Sequence, residues 1–134
     1  MPPITQRDAD KLLCYLPAFE RPGREFDNGL GGGEPTEDGF KAYYYRYPGE
    51  VEAFFALVER EPWTVGSYDP RATSELIADP RRIVSATLDE IRAGLTYCAR
   101  GERFSDGHWS VMLERGIVQR LLRRLQALRP DLPA

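Results

Sequence analysis

Apolar residues recur at helical spacing through most of this chain. After Thr5, the residues Ala9, Leu12, Leu13, Leu16 and Phe19 fall on one stripe, which predicts an amphipathic helix burying one side. Thr5 supplies the cap and Asp8, three residues on, reaches back to it, while Pro17 loosens the last turn. Pro48 opens a second helix whose inner face is Val51, Phe54, Phe55, Leu57 and Val58, with Glu50, Glu52, Glu59 and Arg60 left to water. Asp-Pro occurs at 69 and again at 79, each pair reading as a capping Asp followed by a first-turn proline, so short helical turns are expected there. Thr87 and Glu90 make a capping box ahead of Leu88, Ile91, Leu95 and Cys98, a face that Gly94 thins for the approach of another helix. A short helix from about Asp106 stops at Gly116, the expected left-handed cap, and a last one carries Ile117, Val118, Leu121, Leu122, Leu125 and Leu128 before Pro130 closes it.

The period fails between Glu20 and Gly39, where glycine, proline, Asp and Asn dominate and only Phe26 and Leu30 offer anything to a core. In the extended run that follows, Tyr43, Tyr45 and Tyr47 point one way and Ala42, Tyr44 and Arg46 the other. The fold class expected is therefore mainly α: a compact helical bundle forming one domain over residues 1–134. It carries a flexible Gly-rich loop at about 20–39 and at most a short strand or hairpin near 25–47.

Composition adds limits. At 42% hydrophobic and 29% charged, 134 residues make an ordinary folded domain with a real core. No run approaches a membrane span and the N-terminus lacks the form of a signal peptide, so a cytoplasmic protein without membrane association is expected. Two cysteines and one histidine are too few for a disulfide framework or a structural zinc site, and no metal or other cofactor is anticipated. Cys14 lies opposite the apolar stripe and reads as exposed, whereas Cys98 reads as a small core residue. The net charge of -3 conceals an asymmetry, since residues 1–67 hold 7 basic and 12 acidic side chains and residues 68–134 hold 11 and 9. Only Lys11 and Lys41 among the bases are lysine, and arginine is the better fork for carboxylate or phosphate.

Three sets of residues are candidates for chemistry or contact. His108, in a helix first turn, could act as a base with Asp106 or Glu102 orienting it and Arg103 holding an anion. No nucleophile motif accompanies it, and a helix N-terminus disfavours the imidazolium. The preferred reading is a neutral structural ring that donates one hydrogen bond and accepts another, tying the loop before it to the helix. Arg120, Arg123 and Arg124, with Arg115 and Arg129 nearby, form a stripe opposite the leucines that could follow nucleic-acid phosphates. The helix–glycine–helix arrangement departs from a helix-turn-helix, having Met112 and Arg115 where a small and an apolar residue belong. Tyr43, Tyr45, Tyr47 and Trp109 are candidates for a protein interface, although aromatic-rich stretches are more often core cover. Gly29, Gly31 and Gly33 lack the flanking strand and helix of a phosphate loop. By elimination the favoured function is a non-catalytic interaction or regulatory module with a protein partner or a second copy. Nucleic-acid binding and acid–base catalysis at His108 are the alternatives.

Arg103, Phe104, Gly107, His108, Gly116, Leu121, Leu122, Arg124 and Leu125 together resemble the C-terminal signature of a family of small bacterial proteins of unknown function. Weaker similarity runs through "YYYRYPGEVEAFF" and "DPRRIVSATLDEI", so the resemblance covers the last two thirds of the chain, excluding the Gly-rich loop and Glu61 to Tyr68. It implies no activity and supplies no catalytic residues.

Overall fold

A computed structural model describes residues 3–35 and 41–134 and is mainly helical. Helix α1 (Gln6–Leu13) begins at the Thr5 cap, with both halves of the capping box formed to Asp8. The chain breaks at Cys14 and Tyr15, and the Pro17-bearing remainder of the stripe becomes a separate turn, α2 (Leu16–Phe19), that still buries Leu16 and Phe19. A hairpin follows: β1 (Leu30–Pro35) pairs antiparallel with β2 (Lys41–Tyr45), Leu30 opposite Tyr45, with a register irregularity between Gly32 and Pro35. Gly31 and Gly33 are thus strand residues, and the next described element is strand β2 rather than a helix, which leaves the phosphate-loop reading without its geometry among the described residues. Residues 36–40 of the anticipated loop, and the side chain of Tyr43, lie outside the described residues.

The remaining elements are α3 (Gly49–Val58), α4 (Pro70–Ile77), α5 (Pro80–Ile83), α6 (Leu88–Arg100), α7 (His108–Glu114) and α8 (Ile117–Leu128), with short 3-10 turns at Gly101–Arg103 and Arg129–Asp131. Asp69 and Asp79 cap α4 and α5 ahead of their prolines, and Thr87 with Glu90 closes the capping box of α6. Each of these caps bonds an amide two or three residues on, which is why the sequence announces them.

Two helices organise the packing. α8 contacts α1, α2, α5, α6 and α7 with a face of fully buried Val118, Leu121, Leu122 and Leu125, and α6 contacts α3, α4 and α7 as well. Where α6 crosses α4 and α8 it does so over Gly94. A Cβ there would stand 3.1 Å from Ile77 Cγ2 and 3.2 Å from Leu121, so the absent side chain is what allows the approach. A chain of rings stitches the other side: Phe19 to Phe54 at 5.1 Å, Phe54 to Phe55 at 5.1 Å, then Phe55 stacked on Trp109 at 4.6 Å and Trp109 against Tyr47 at 5.0 Å.

Polar ties close the frame. Arg24 is buried against Phe26 and pairs with Glu50, fastening the segment before the hairpin to α3. Gln119 on α8 donates to the carbonyls of Phe19 and Leu113. The two ends of the described chain meet: the Gln6 amide donates to the Pro133 carbonyl at 2.8 Å, its side chain to Leu132 at 3.2 Å, and Arg129 forks onto Asp10. No helix among the described residues is long and apolar enough to cross a membrane.

Candidate functional site

The segment from Gly101 to Trp109 gathers the histidine and its neighbours. Gly107 adopts φ +85 as the N-cap of α7, a conformation that favours glycine, and it has no side chain with which to cap the helix. The carboxylate of Glu102 does that work from five residues upstream. It accepts from the amides of Gly107 at 3.0 Å and Trp109 at 2.8 Å, and from the Tyr47 hydroxyl at 2.8 Å. A negative group belongs at this helix end, where unsatisfied N–H groups and the helix dipole both favour it. The Trp109 indole donates to the Ala99 carbonyl at 2.8 Å, so Trp109 is held at both ends. Burial, with Glu102 second, raises the Tyr47 hydroxyl far above its ordinary pKa.

His108 is the first residue of α7, and its ring packs against Gly101 at the end of α6. A Cβ on Gly101 would fall 2.2 Å from the ring's Nε2 and Cδ2, and the Tyr97 ring meets it edge-on at 5.7 Å. Burial holds its pKa below the usual 6.5, opposed by the Glu102 charge and a Tyr97 backbone contact. Of the two hydrogen bonds expected of the ring only one is present: His108 bonds the Tyr97 backbone, while Nε2 is buried and has no hydrogen-bond partner among the described residues. The ring packs on the end of α6, and Glu102 adds the second tie between loop and helix. Asp106 is exposed, and Arg103 reaches Glu59 at 3.5 Å; no hydrogen bond or ion pair joins either to His108.

A second linkage, absent from the sequence reading, joins α7 to the hairpin. The buried Ser110 hydroxyl lies 2.6 Å from Asp27 and 3.2 Å from Glu114. It has one proton to give, and the shorter contact takes it. Asp27 also accepts from the Gly29 amide at 2.8 Å, fixing the turn into β1.

The arginine stripe is different in kind. Arg120, Arg123, Arg124 and Ala127 occupy positions i, i+3, i+4 and i+7 along one flank of α8, facing α5 across an open groove of about 350 Å³. The groove's floor is apolar: Pro80, buried Ile83, Ala127, and Val84, which is 70% exposed. The three guanidiniums are not equivalent. Arg123 forks onto Glu20, with Nε 2.8 Å from Oε2, and its pKa is raised by that bond. Arg124 donates to the Ala86 carbonyl at 2.9 Å. Arg120 carries no ion pair among the described residues. An uninterrupted phosphate-tracking row is thus not what the stripe presents.

The aromatic candidates whose side chains are described, Tyr45, Tyr47 and Trp109, do not form one exposed surface either. Tyr47 is buried, Trp109 is half-buried inside the ring chain, and Tyr45 is 36% exposed, its ring lying over Gly107. Alternating strand positions suggested a common side for Tyr45 and Tyr47; the strand ends at Tyr45, and the alternation ends with it.

Among curated proteins and among solved structures, none matches this chain. The model of one protein family matches residues 4–131, taking in the Gly-rich stretch and Glu61 to Tyr68 as well as the C-terminal helices, and the chain therefore belongs to the Family of unknown function (DUF6508).

Proposed function

We propose that this protein is a non-catalytic interaction module that works in the cytoplasm and engages a partner through the groove between α5 and α8. The observation that carries the reading is Val84. A β-branched apolar side chain 70% exposed, over buried Ile83 and rimmed by arginines, is the combination of apolar centre and charged edge that protein interfaces use. The groups around His108 support it from the other direction, because Glu102 is committed to two amides and a phenol, Arg103 to Glu59, and the imidazole to Gly101 and the Tyr97 backbone. Two free thiols suit a reducing compartment.

The test is site-specific photo-crosslinking in cells. A photoreactive residue at Val84 yields a discrete adduct that Arg120→Glu suppresses, and the same residue at exposed Glu52 on α3 yields none. Equal adducts at both positions, or none at Val84, reject the groove as a docking face.

A further inference from the structure

We infer that the occupant of the α5/α8 groove is an acidic amphipathic helix supplied by another protein. The inference rests on reading that groove as a docking face, and adds what the face selects.

Charge is the first ground. Of the five arginines from Arg115 to Pro130, a run with no carboxylate, Arg123 and Arg129 pair with Glu20 and Asp10, while Arg115, Arg120 and Arg124 have no ion pair among the described residues. A partner must bring anions to this surface. Shape is the second. A neighbouring trough of about 360 Å³ shares Pro80 and Arg120 with the groove and adds Ile77, Met112 and Ile117 to its lining. The two adjoin at Pro80 and Arg120, and their lining on α8 runs from Ile117 to Ala127, a stretch that an α-helix covers in roughly 15 Å, or about three turns. Ala127 is the third ground. It breaks the arginine row with a short side chain beside the exposed Val84, so an apolar residue of the partner can reach Val84 while its carboxylates meet Arg120 and Arg124. That demand, apolar anchors at i, i+3/i+4 and i+7 flanked by acids, is the helix-in-groove mode.

Other occupants fit less well. A nucleic-acid backbone would gain nothing from the apolar floor and would have to track a row whose middle member, Arg123, is already paired with Glu20. A second copy of this chain has little to offer. Apart from Val84, the exposed large apolar side chains among the described residues are Tyr45 and Phe104, outside helices, and Val111 on the seven-residue α7.

The experiment uses a fluorescein-labelled designed peptide with Leu at i, i+3, i+4 and i+7 and Glu on the flanking positions, titrated with the full chain by fluorescence anisotropy. A peptide of the same composition, scrambled to disperse the leucines, runs beside it. The ordered peptide binds and gains helical circular dichroism, the scrambled one is weaker by about tenfold or more, and Val84→Asp and Arg120→Glu each reduce binding by about tenfold. Ala127→Glu, at an exposed site, is a second probe of the floor, with melting curves establishing that each variant is folded. Equal binding of the two peptides overturns the inference. So does tighter binding of a single-stranded DNA oligonucleotide or of phosphatidylserine vesicles than of the ordered peptide. Absence of peptide binding while the Val84 crosslink persists leaves the docking face in place and removes the acidic helix, whereas loss of the crosslink itself removes the proposed function.

Discussion

His108 is instructive because its chemistry is suppressed by where it sits. The folded chain holds its pKa below 6.5, so the unfolded chain takes up the proton first. The ring's contribution to stability is complete above 6.5 and is lost as pH falls through the folded value. Thermal melts between about pH 7.5 and 5 should therefore show the wild type losing more stability than His108→Gln; parallel slopes would mean that the ring is not desolvated. Gly101→Ala should cost about 1–3 kcal/mol in denaturant unfolding, since the new methyl would occupy the imidazole's space. The two thiols divide as sharply. Cys98 is fully buried and its pKa is pushed up to about 12, whereas Cys14 is exposed. Iodoacetamide at neutral pH should label Cys14 alone in the native protein and both residues in urea; native labelling of Cys98 would contradict its burial.

At the scale of elements, what could be read in advance was what is local. Thr5 with Asp8, Thr87 with Glu90, Asp69 and Asp79 before proline, and the 3.6-residue stripe of the last helix all involve partners within a turn or two, and all are present. The cap of α7 escaped notice because Glu102 reaches the Gly107 and Trp109 amides from five and seven positions upstream, outside the i to i+3 capping pattern, and the bonds around it are tertiary: Tyr47 is 55 positions from Glu102, and Ser110 is 83 from Asp27. Nothing in a spacing pattern marks such pairs. The one available signal was Gly107, a glycine with no capping side chain just before a helix, which demands a carboxylate from elsewhere. Glu102→Ala should destabilise by about 1–3 kcal/mol, leaving two amides and a buried phenol without an acceptor, and hydrogen exchange at Trp109 should accelerate with it. Gly94→Ala should cost about 1–3 kcal/mol by forcing α4 and α8 off α6.

For the whole molecule, helix content and a single buried core were legible because amphipathic stripes state what they bury. The arginine stripe was legible as a set of residues, while its meaning was not. That Arg123 and Arg124 are engaged, and that Arg120 borders an apolar groove, depends on Glu20, Ala86 and Val84, none of which lies on α8. Family membership likewise extends beyond the C-terminal helices that first suggested it, through the hairpin and back to residue 4.

The pairing of Gln6 with Pro133 and of Asp10 with Arg129 has an engineering consequence. Segments that already touch at these residues lie close enough for a brief linker to close this chain into a ring. Sealing the polypeptide in this way strips freedom from the denatured ensemble alone, so an intein-cyclised version should melt several degrees higher than its linear parent. A lower melting temperature would reveal that the ends separate in solution.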